Sequence, residues 1–163
     1  MRLDRERPED SWPVEVLFDT VFGPGRHALS SYRLRDQGEP VAGLARILKD
    51  DYGSVVGAVR FWPVLVGGAE TLLLGPIAVH PIHQGEGWGA LLIEESLAAA
   101  TKAGWARVLL VGDAPYYGRF GFLKLSEVEM PPPTNPERVL GRALVRGAWD
   151  GVRGAVEPAL SRA

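Results

Sequence analysis

The sequence of 163 residues contains no cysteine. This absence excludes disulfides, thiolate metal ligands, iron–sulfur clusters and a cysteine nucleophile. An excess of charge of one sign is also lacking, because 18 Lys and Arg residues stand against 20 Asp and Glu residues, a net charge of −2. This balance provides no electrostatic surface for nucleic acid or for an anionic membrane, and we expect neither as a partner.

Long hydrophobic runs are missing as well. The longest uncharged stretch lies between Glu70 and Glu86 and contains two prolines. It is shorter than the about 20 apolar residues that a membrane-spanning helix needs. The first ten residues are rich in charge and show no signal peptide. We therefore expect a cytoplasmic protein.

Length and composition indicate one domain that comprises residues 1–163. Hydrophobic residues make up 46% and charged residues 23% of the chain, as in ordinary globular proteins. A chain of this length buries about 68–70% of the surface that its unfolded form exposes, which is enough for a core without covalent cross-links.

Hydrophobic periodicity predicts a mixed α/β (α+β) fold. Apolar residues at helical spacing between Val14 and Phe22 predict a first helix, and a short second helix is predicted over residues 26–35. Three β-rich segments with turn residues between them predict an antiparallel meander over residues 41–48, 55–66 and 71–79. A helix over residues 87–102 follows, and then strands over residues 108–111, 122–128 and 139–145.

The glycine-rich loop after the third β-rich segment is the most informative part of the sequence. Residues 84–90 read Gln-Gly-Glu-Gly-Trp-Gly-Ala and lie between a strand and an amphipathic helix. Glycines at a helix N-terminus let backbone N–H groups face outward, an arrangement that binds phosphate or pyrophosphate. From the glycines alone, a turn that only closes the strand–helix connection is the better-supported interpretation.

A dinucleotide-binding loop is one functional interpretation of this segment. Gly85, Gly87 and Ala90 match the pattern G-x-G-x-x-G/A, and Asp113 stands at the end of the following strand. That motif should follow its strand directly, whereas residues 80–84 intervene here. The rest of the chain is also too short for a doubly wound fold, so an oxidoreductase is the minor alternative.

The same residues resemble a second pattern. Gln84-x-x-Gly87-x-Gly89 resembles the [Q/R]-x-x-G-x-[G/A] signature of the GNAT superfamily of acetyl-CoA-dependent N-acetyltransferases. Residues 78–81, AVHP, and residues 111–122, VGDAPYYGRFGF, resemble the segments before and after that signature in the family. Together with residues 23–26 and 60–63, the last segment is similar to the YhbS-like branch. The resemblance covers most of the chain and is strongest over residues 72–122.

This resemblance implies a single GNAT-type domain, in which a mixed, mostly antiparallel central sheet with a V-shaped splay is flanked by helices. It implies direct transfer of acetyl from acetyl-CoA to a primary amine of a small molecule or peptide, with no metal. The residues that it assigns to the pantetheine arm are Ile77, Ala78 and Val79. Those that it assigns to the pyrophosphate are Gln84, Gly85, Glu86, Gly87, Trp88, Gly89 and Ala90.

Two details of this cofactor site follow from the residue types. Gly75 and Pro76 lie inside the strand and are expected to form the bulge that opens the splay. Glu86 places a carboxylate where phosphate would bind, and since an inward carboxylate would repel phosphate, we expect its side chain to face solvent.

Tyr117 is the expected general acid, because it stands four residues before Gly121, where the proton donor of the family commonly lies. A phenol of ordinary pKa near 10 is protonated at neutral pH and can donate to a departing thiolate. No general base stands out among the conceivable residues, which are Asp113, His27, His80 and Glu70.

The acceptor amine is not identified by the sequence. Arg26, His27, Phe61 and Trp62 are expected to line its pocket, although Phe61 and Trp62 fit the core equally well. A non-catalytic acyl-CoA-binding module of the same fold stays as an alternative. An exposed edge strand would permit a homodimer.

Overall fold

The computed structural model describes residues 1–28, 32, 34–35 and 38–159 of the chain. Three α-helices lie in this part, namely α1 (Ser11–Phe22), α2 (Trp88–Lys102) and α3 (Ala114–Tyr117). The strands are β1 (Arg2–Arg5), β2 (Arg46–Lys49), β3 (Val55–Val66), β4 (Ala69–Val79), β5 (Arg107–Val111), β6 (Leu123–Lys124), β7 (Val128–Glu129), β8 (Val139–Ala143) and β9 (Gly154–Pro158). None of the helices in the described part has the length and apolarity needed to cross a bilayer.

The central sheet is mixed and mostly antiparallel, as predicted. Its strand order is β1-β2-β3-β4-β5-β8-β6, and along this order β4 and β5 run parallel whereas the other described neighbours run antiparallel. The predicted meander is confirmed as β2, β3 and β4. A doubly wound parallel sheet, which the dinucleotide-binding alternative requires, is wrong for this chain.

The two ends of the chain add strands that hydrophobic patterning did not predict. β1 lies at the edge of the sheet and pairs with β2 from Arg2 opposite Lys49 to Arg5 opposite Arg46. β9 pairs with the last residues of β3, from Val64 to Val66, and also with β7. Three of the four β1 side chains are charged, and because an edge strand leaves much of its surface in solvent, it needs no apolar alternation.

Some predicted boundaries are corrected by the structure. The strand expected over residues 122–128 is split into β6 and β7, which pair with different partners, β8 and β9. Residues 42–44 form a turn before β2. Of the helix expected over residues 26–35, the beginning lies in a 3₁₀ helix, Pro24–Ala28, while residues 29–31 and 33 lie outside the described residues.

The long helices cover opposite faces of the sheet. Ala58 and Ala78 are paired across β3 and β4 and pack against α1, in a cluster with Phe18. Val59, the next residue along β3, packs with Leu92 of α2 on the other face. Since successive side chains of a strand point to opposite faces, this alternation places one helix on each side.

Buried arginines tie α1 to the sheet. Arg60 of β3 donates from Nε and Nη2 to the Glu6 carboxylate, at 3.0 and 2.9 Å, and from Nη1 to Glu15 of α1, at 2.7 Å. Arg26 donates to the other oxygen of Glu15 and, at 2.8 Å, to Asp19. Burial opposes ionisation of Glu15, but the hydrogen bonds from both arginines lower its pKa below the ordinary value. These ion pairs thus fix α1 over β3.

Leucine substitutions test the position of the core. Leu109 of β5 is 0% exposed, whereas Leu123 of β6 is 74% exposed. We expect Leu109→Ala to lower the free energy of unfolding by about 2–5 kcal/mol, because it leaves a cavity. Leu123→Ala should change it by less than about 0.5 kcal/mol. Urea denaturation measures both, and equal losses in the two variants would contradict this assignment of the core.

Candidate functional site

The site begins where β4 and β5 separate. The two strands pair only from Leu72 opposite Val108 to Leu73 opposite Leu109 in the described sheet, although β4 continues to Val79. The last six residues of β4 therefore have a neighbour on the β3 side and an open edge on the other side. This is the V-shaped splay that the resemblance implies.

A bulge in β4 accompanies the separation. Ile77 pairs with Val59, and Leu74 pairs with Phe61, so that Gly75 and Pro76 together stand opposite one residue of β3. Gly75 has φ +135°, a conformation that L side chains rarely adopt, and proline has no N–H for a sheet ladder. The predicted bulge at these two residues is confirmed.

Beyond the bulge, backbone groups of β4 face the gap. The His80 N–H donates to the Val56 carbonyl of β3 at 2.8 Å, which fixes the alternation of the ladder. Because hydrogen-bonding direction alternates along an antiparallel strand, the N–H and C=O groups of Ile77 and Val79 point away from β3. Ala78 instead points its backbone toward β3 and buries its side chain against α1.

A cavity of about 520 Å³ fills the space between the separated strands. β4 and β5 form two of its walls, and α3 and residues near the end of α1 form the others. The described lining residues are Phe22, Tyr32, Arg35, Leu73, Leu74, Gly75, Pro76, Ile77, Leu110, Val111, Gly112, Asp113, Tyr116, Tyr117 and Arg138. The wall is mostly apolar, and its polar groups are concentrated at one end of β5, on α3 and at Arg35.

Tyr117 is held in this cavity by aromatic neighbours. Its ring makes edge contacts with Tyr116, at 5.0 Å between centroids, and with Phe122, at 6.0 Å. Burial, with smaller contributions from Tyr116 and Asp113, raises the pKa of Tyr117 to about 12. The phenol therefore keeps its proton at neutral pH.

A second cavity of about 470 Å³ lies over the glycine-rich loop, and Tyr116 lines both cavities. Gly85 and Gly87 have φ of +83° and +88°, and Gly87 is the N-cap of α2. The loop is tied to β4 by the Gln84 side chain, whose Nε2 donates to the Val79 carbonyl at 2.9 Å. The structure thus uses Gln84 to join the loop to the end of the splayed strand.

Glu86 is exposed, in agreement with the expectation that its side chain faces solvent. One of its carboxylate oxygens accepts a hydrogen bond from the Trp88 indole at 3.1 Å and lies 3.3 Å from His83 Nδ1. Its side chain is about half exposed. The carboxylate is therefore held by Trp88 and His83, two residues that also line the second cavity.

Arg119 is a cation at this cavity to which the sequence reasoning assigned no role. It lines the second cavity, and its guanidinium lies 4.5 Å from the centre of the Tyr116 ring. Arg119 follows Tyr116 by three residues, one helical turn, and that spacing is the signal that could have placed it beside the loop.

The expected acceptor-pocket residues do not gather at the main cavity. Arg26 is buried among its ion pairs, and Phe61 is fully buried in the core. Trp62 lines a different cavity, next to Leu34 and Pro63. His27 is exposed and contacts the ring of Tyr32 edge-on. None of the four belongs to the described lining of this cavity, and their contact with an acceptor stays a prediction.

Of the conceivable general bases, Asp113 is the one that lines the main cavity among the described residues. Its carboxylate accepts a hydrogen bond from the Tyr116 N–H at 3.2 Å and caps α3. His80 Nδ1 accepts from the Ile82 N–H at 3.2 Å in the loop, and Glu70 lies beside Trp105 at another cavity.

Comparisons with known proteins agree with this geometry. A family model described as an acetyltransferase (GNAT) domain matches residues 42–124. The N-acetyltransferase YhbS of Escherichia coli (strain K12) is 32% identical over 162 residues, which cover 96% of this chain and 95% of YhbS. The chain belongs to the GNAT acetyltransferase family.

Solved structures show the same likeness. The crystal structure of E. coli YhbS in complex with CoA superposes with a TM-score of 0.83 at 30% identity and covers 96% of this chain and 88% of that one. A GNAT family acetyltransferase from Brucella melitensis in complex with acetyl-CoA gives 0.65 at 33% identity and covers 91% of this chain and 97% of that one.

Glycine substitutions test how Tyr117 is positioned. A Cβ at Gly112 would lie 2.4 Å from Cε2 of Tyr117 and 3.0 Å from Cδ1 of Leu110, whereas one at Gly118 meets nothing within 4 Å. We expect Gly112→Ala to displace the Tyr117 ring and to lower the free energy of unfolding by about 1–3 kcal/mol. Gly118→Ala should leave it within about 0.5 kcal/mol. Urea denaturation compares them, and an unaffected Gly112→Ala would contradict this packing.

Proposed function

We propose that this member of the GNAT family transfers the acetyl group of acetyl-CoA directly to a primary amine. The observation that carries the proposal is the open edge of β4, which runs from a cavity containing Tyr117 to the glycine-rich N-terminus of α2. Both relatives whose crystal structures are cited above were solved with CoA or acetyl-CoA. Their likeness supports the same cofactor here.

The pantetheine arm fits the open edge of β4. An extended chain with amide groups can add to a sheet edge as a further strand would. Ile77 offers an N–H and a C=O to such a ligand, and Val79 offers its N–H, because its carbonyl already accepts from Gln84. The resemblance assigns three residues to this arm. Ala78, the middle one, would hold β4 to β3 through its backbone and would not itself contact the arm.

The pyrophosphate fits the loop before α2. Gly85, Gly87 and Gly89 present backbone at the positive end of the helix dipole, without side chains that would block the approach. Arg119 adds a full positive charge at the same cavity, and the Trp88 indole donates a hydrogen bond to the exposed Glu86 carboxylate, which would lessen its repulsion of phosphate.

Tyr117 would act on the departing sulfur. The amine nitrogen forms a bond to the thioester carbon, the carbon–sulfur bond breaks, and one amine proton ends on the thiol of CoA. With a pKa of about 12, the phenol is a weak acid toward a thiolate of ordinary pKa near 8.5. It would therefore donate a hydrogen bond to the sulfur and pass on its proton only as it regains one from the acceptor nitrogen.

Replacing Tyr117 tests the proposed transfer. We expect acetyl-CoA to bind the wild-type protein and an amine panel to release free CoA thiol from the complex. Tyr117→Phe should lower kcat by about 100-fold or more, since proton donation contributes about 10²–10⁴-fold, and leave the Kd for acetyl-CoA within about twofold. Calorimetry measures the binding, and a thiol reagent measures the turnover.

The matched control is Tyr52→Phe, because Tyr52 is 94% exposed on the turn between β2 and β3. Its turnover should equal that of wild type. Unchanged kcat in Tyr117→Phe would remove the phenol from the mechanism. Binding of acetyl-CoA without thiol release from any amine would indicate a binding module instead of an enzyme.

Arg119 provides a separate test of the pyrophosphate position. Arg119→Met should weaken CoA binding by about fivefold, or about 1 kcal/mol, and less at high salt, because the ion pair is exposed. Binding of pantetheine, which lacks the pyrophosphate, should not change. Calorimetry with both ligands measures the difference, and Arg153→Met, at an exposed arginine elsewhere, is the control. Equal weakening of both ligands would contradict the proposed contact.

A further inference from the structure

Arg35 is a buried cation in the wall of the main cavity. Its residue surface is 7% exposed, and it lines the cavity together with Tyr32 and Gly75. Within the described part of the chain, Nε and Nη1 of its guanidinium are buried and have no hydrogen-bond partner. A buried charge without a partner is costly, so this arginine calls for an explanation.

The packing around Arg35 compensates its charge only in part. The guanidinium lies 4.4 Å from the centre of the Tyr32 ring, a cation–π contact. Nη2 lies 3.1 Å from the position that a Cβ would take at Gly75, so the glycine of the bulge makes room for it. The bulge that opens the splay thereby also admits the cation to the cavity wall.

The described carboxylates on α1 and at Glu6 are bound to other arginines. Arg26 holds Glu15 and Asp19, and Arg60 holds Glu15 and Glu6. These carboxylates therefore compensate other charges. Burial lowers the pKa of Arg35 to about 10, so its guanidinium still carries a positive charge at neutral pH.

The cavity as a whole has more positive than negative charge. Arg35 and Arg138 are among its described lining residues, against one carboxylate, that of Asp113. The other acids that could attract a cationic acceptor lie elsewhere, since Asp50 accepts hydrogen bonds within the hairpin turn and Asp51 is exposed beside the N-terminal amine. In the described lining, a polyamine would therefore meet two guanidinium groups and a single carboxylate.

We propose that the acceptor is an amine that also carries an anionic oxygen group, a carboxylate in the first instance, and that Arg35 binds this group. The proposal deepens the proposed transferase function and rests on it. An anion in the cavity would compensate the charge of the guanidinium, whose Nη2 lies beside Gly75 in the cavity lining. Because the cavity wall is mostly apolar, an acceptor with an apolar side chain fits it best.

Matched pairs of acceptors test the proposal. Leucine is compared with leucinamide, phenylalanine with phenylalaninamide, and phosphoethanolamine with ethanolamine, with spermidine as a polycation. For wild type, we expect the kcat/KM of an anionic member to exceed that of its neutral partner by about tenfold or more. A preference confined to phosphoethanolamine would identify phosphate rather than carboxylate as the source of the anion.

Variants of Arg35 connect this preference to the residue. Arg35→Met should raise the KM for anionic acceptors by about tenfold, abolish the preference and leave the KM for acetyl-CoA unchanged. Arg35→Lys should retain part of the preference, because it keeps the charge. Arg2→Met, at an exposed arginine of β1, is the matched control, and urea denaturation establishes that each variant is folded.

Binding measurements test the role of Arg35 independently of acetyl transfer. In saturating CoA, calorimetry should detect leucine or phenylalanine with wild type and a weakened signal with Arg35→Met. Binding without thiol release would refute the transfer but support the role of Arg35. The role of Arg35 is refuted if no anionic member binds, if neutral partners or spermidine do equally well, or if folded Arg35→Met keeps the preference.

Discussion

The separation of β4 from β5 is the constraint on which the rest of the site depends. Two adjacent parallel strands normally hydrogen-bond to each other along their length. Here β4 and β5 pair at Leu72 and Leu73 and then separate. The bulge at Gly75 and Pro76 makes this possible, since one residue takes a backbone conformation suited to glycine and the other has no N–H to offer. The sheet thereby keeps a cavity at its centre, with backbone donors on one wall and Tyr117 on another.

An opening in a sheet has to be supported from outside, and the buried ion pairs provide this support. Arg60 stands opposite the bulge and binds Glu6 and Glu15, while Arg26 binds Glu15 from the far end of α1. Breaking a buried pair leaves an uncompensated charge, which costs about 3–5 kcal/mol. Arg60 therefore ties α1 to β3, the neighbour of the splayed strand, and Arg26 binds the same Glu15. Both arginines were noticed in the sequence as part of a family resemblance.

The features that could be predicted from the sequence are those set by residues close together along the chain. The meander and α2 follow from periodicity, the bulge from Gly75 and Pro76, and the exposure of Glu86 from its charge beside a phosphate-like site. β1 was missed because an edge strand needs no apolar alternation. The sequence left Phe61 and Trp62 open between core and pocket, because an aromatic residue on a strand fits both until the neighbouring strands are known.

Arg35 could not have been found from the sequence, and the reason is physical. Its significance depends on which described carboxylates already bind Arg26 and Arg60, and only the folded chain shows these pairs. The proposed roles of Ile77 and Arg35 divide the cavity walls between the cofactor and the acceptor. If the edge of β4 at Ile77 takes the cofactor tail, the wall formed by Phe22, Tyr32 and Arg35 is left for the acceptor. Under these proposals, the cavity would select its acceptor by the charge of Arg35, while the backbone of β4 would bind much of the cofactor.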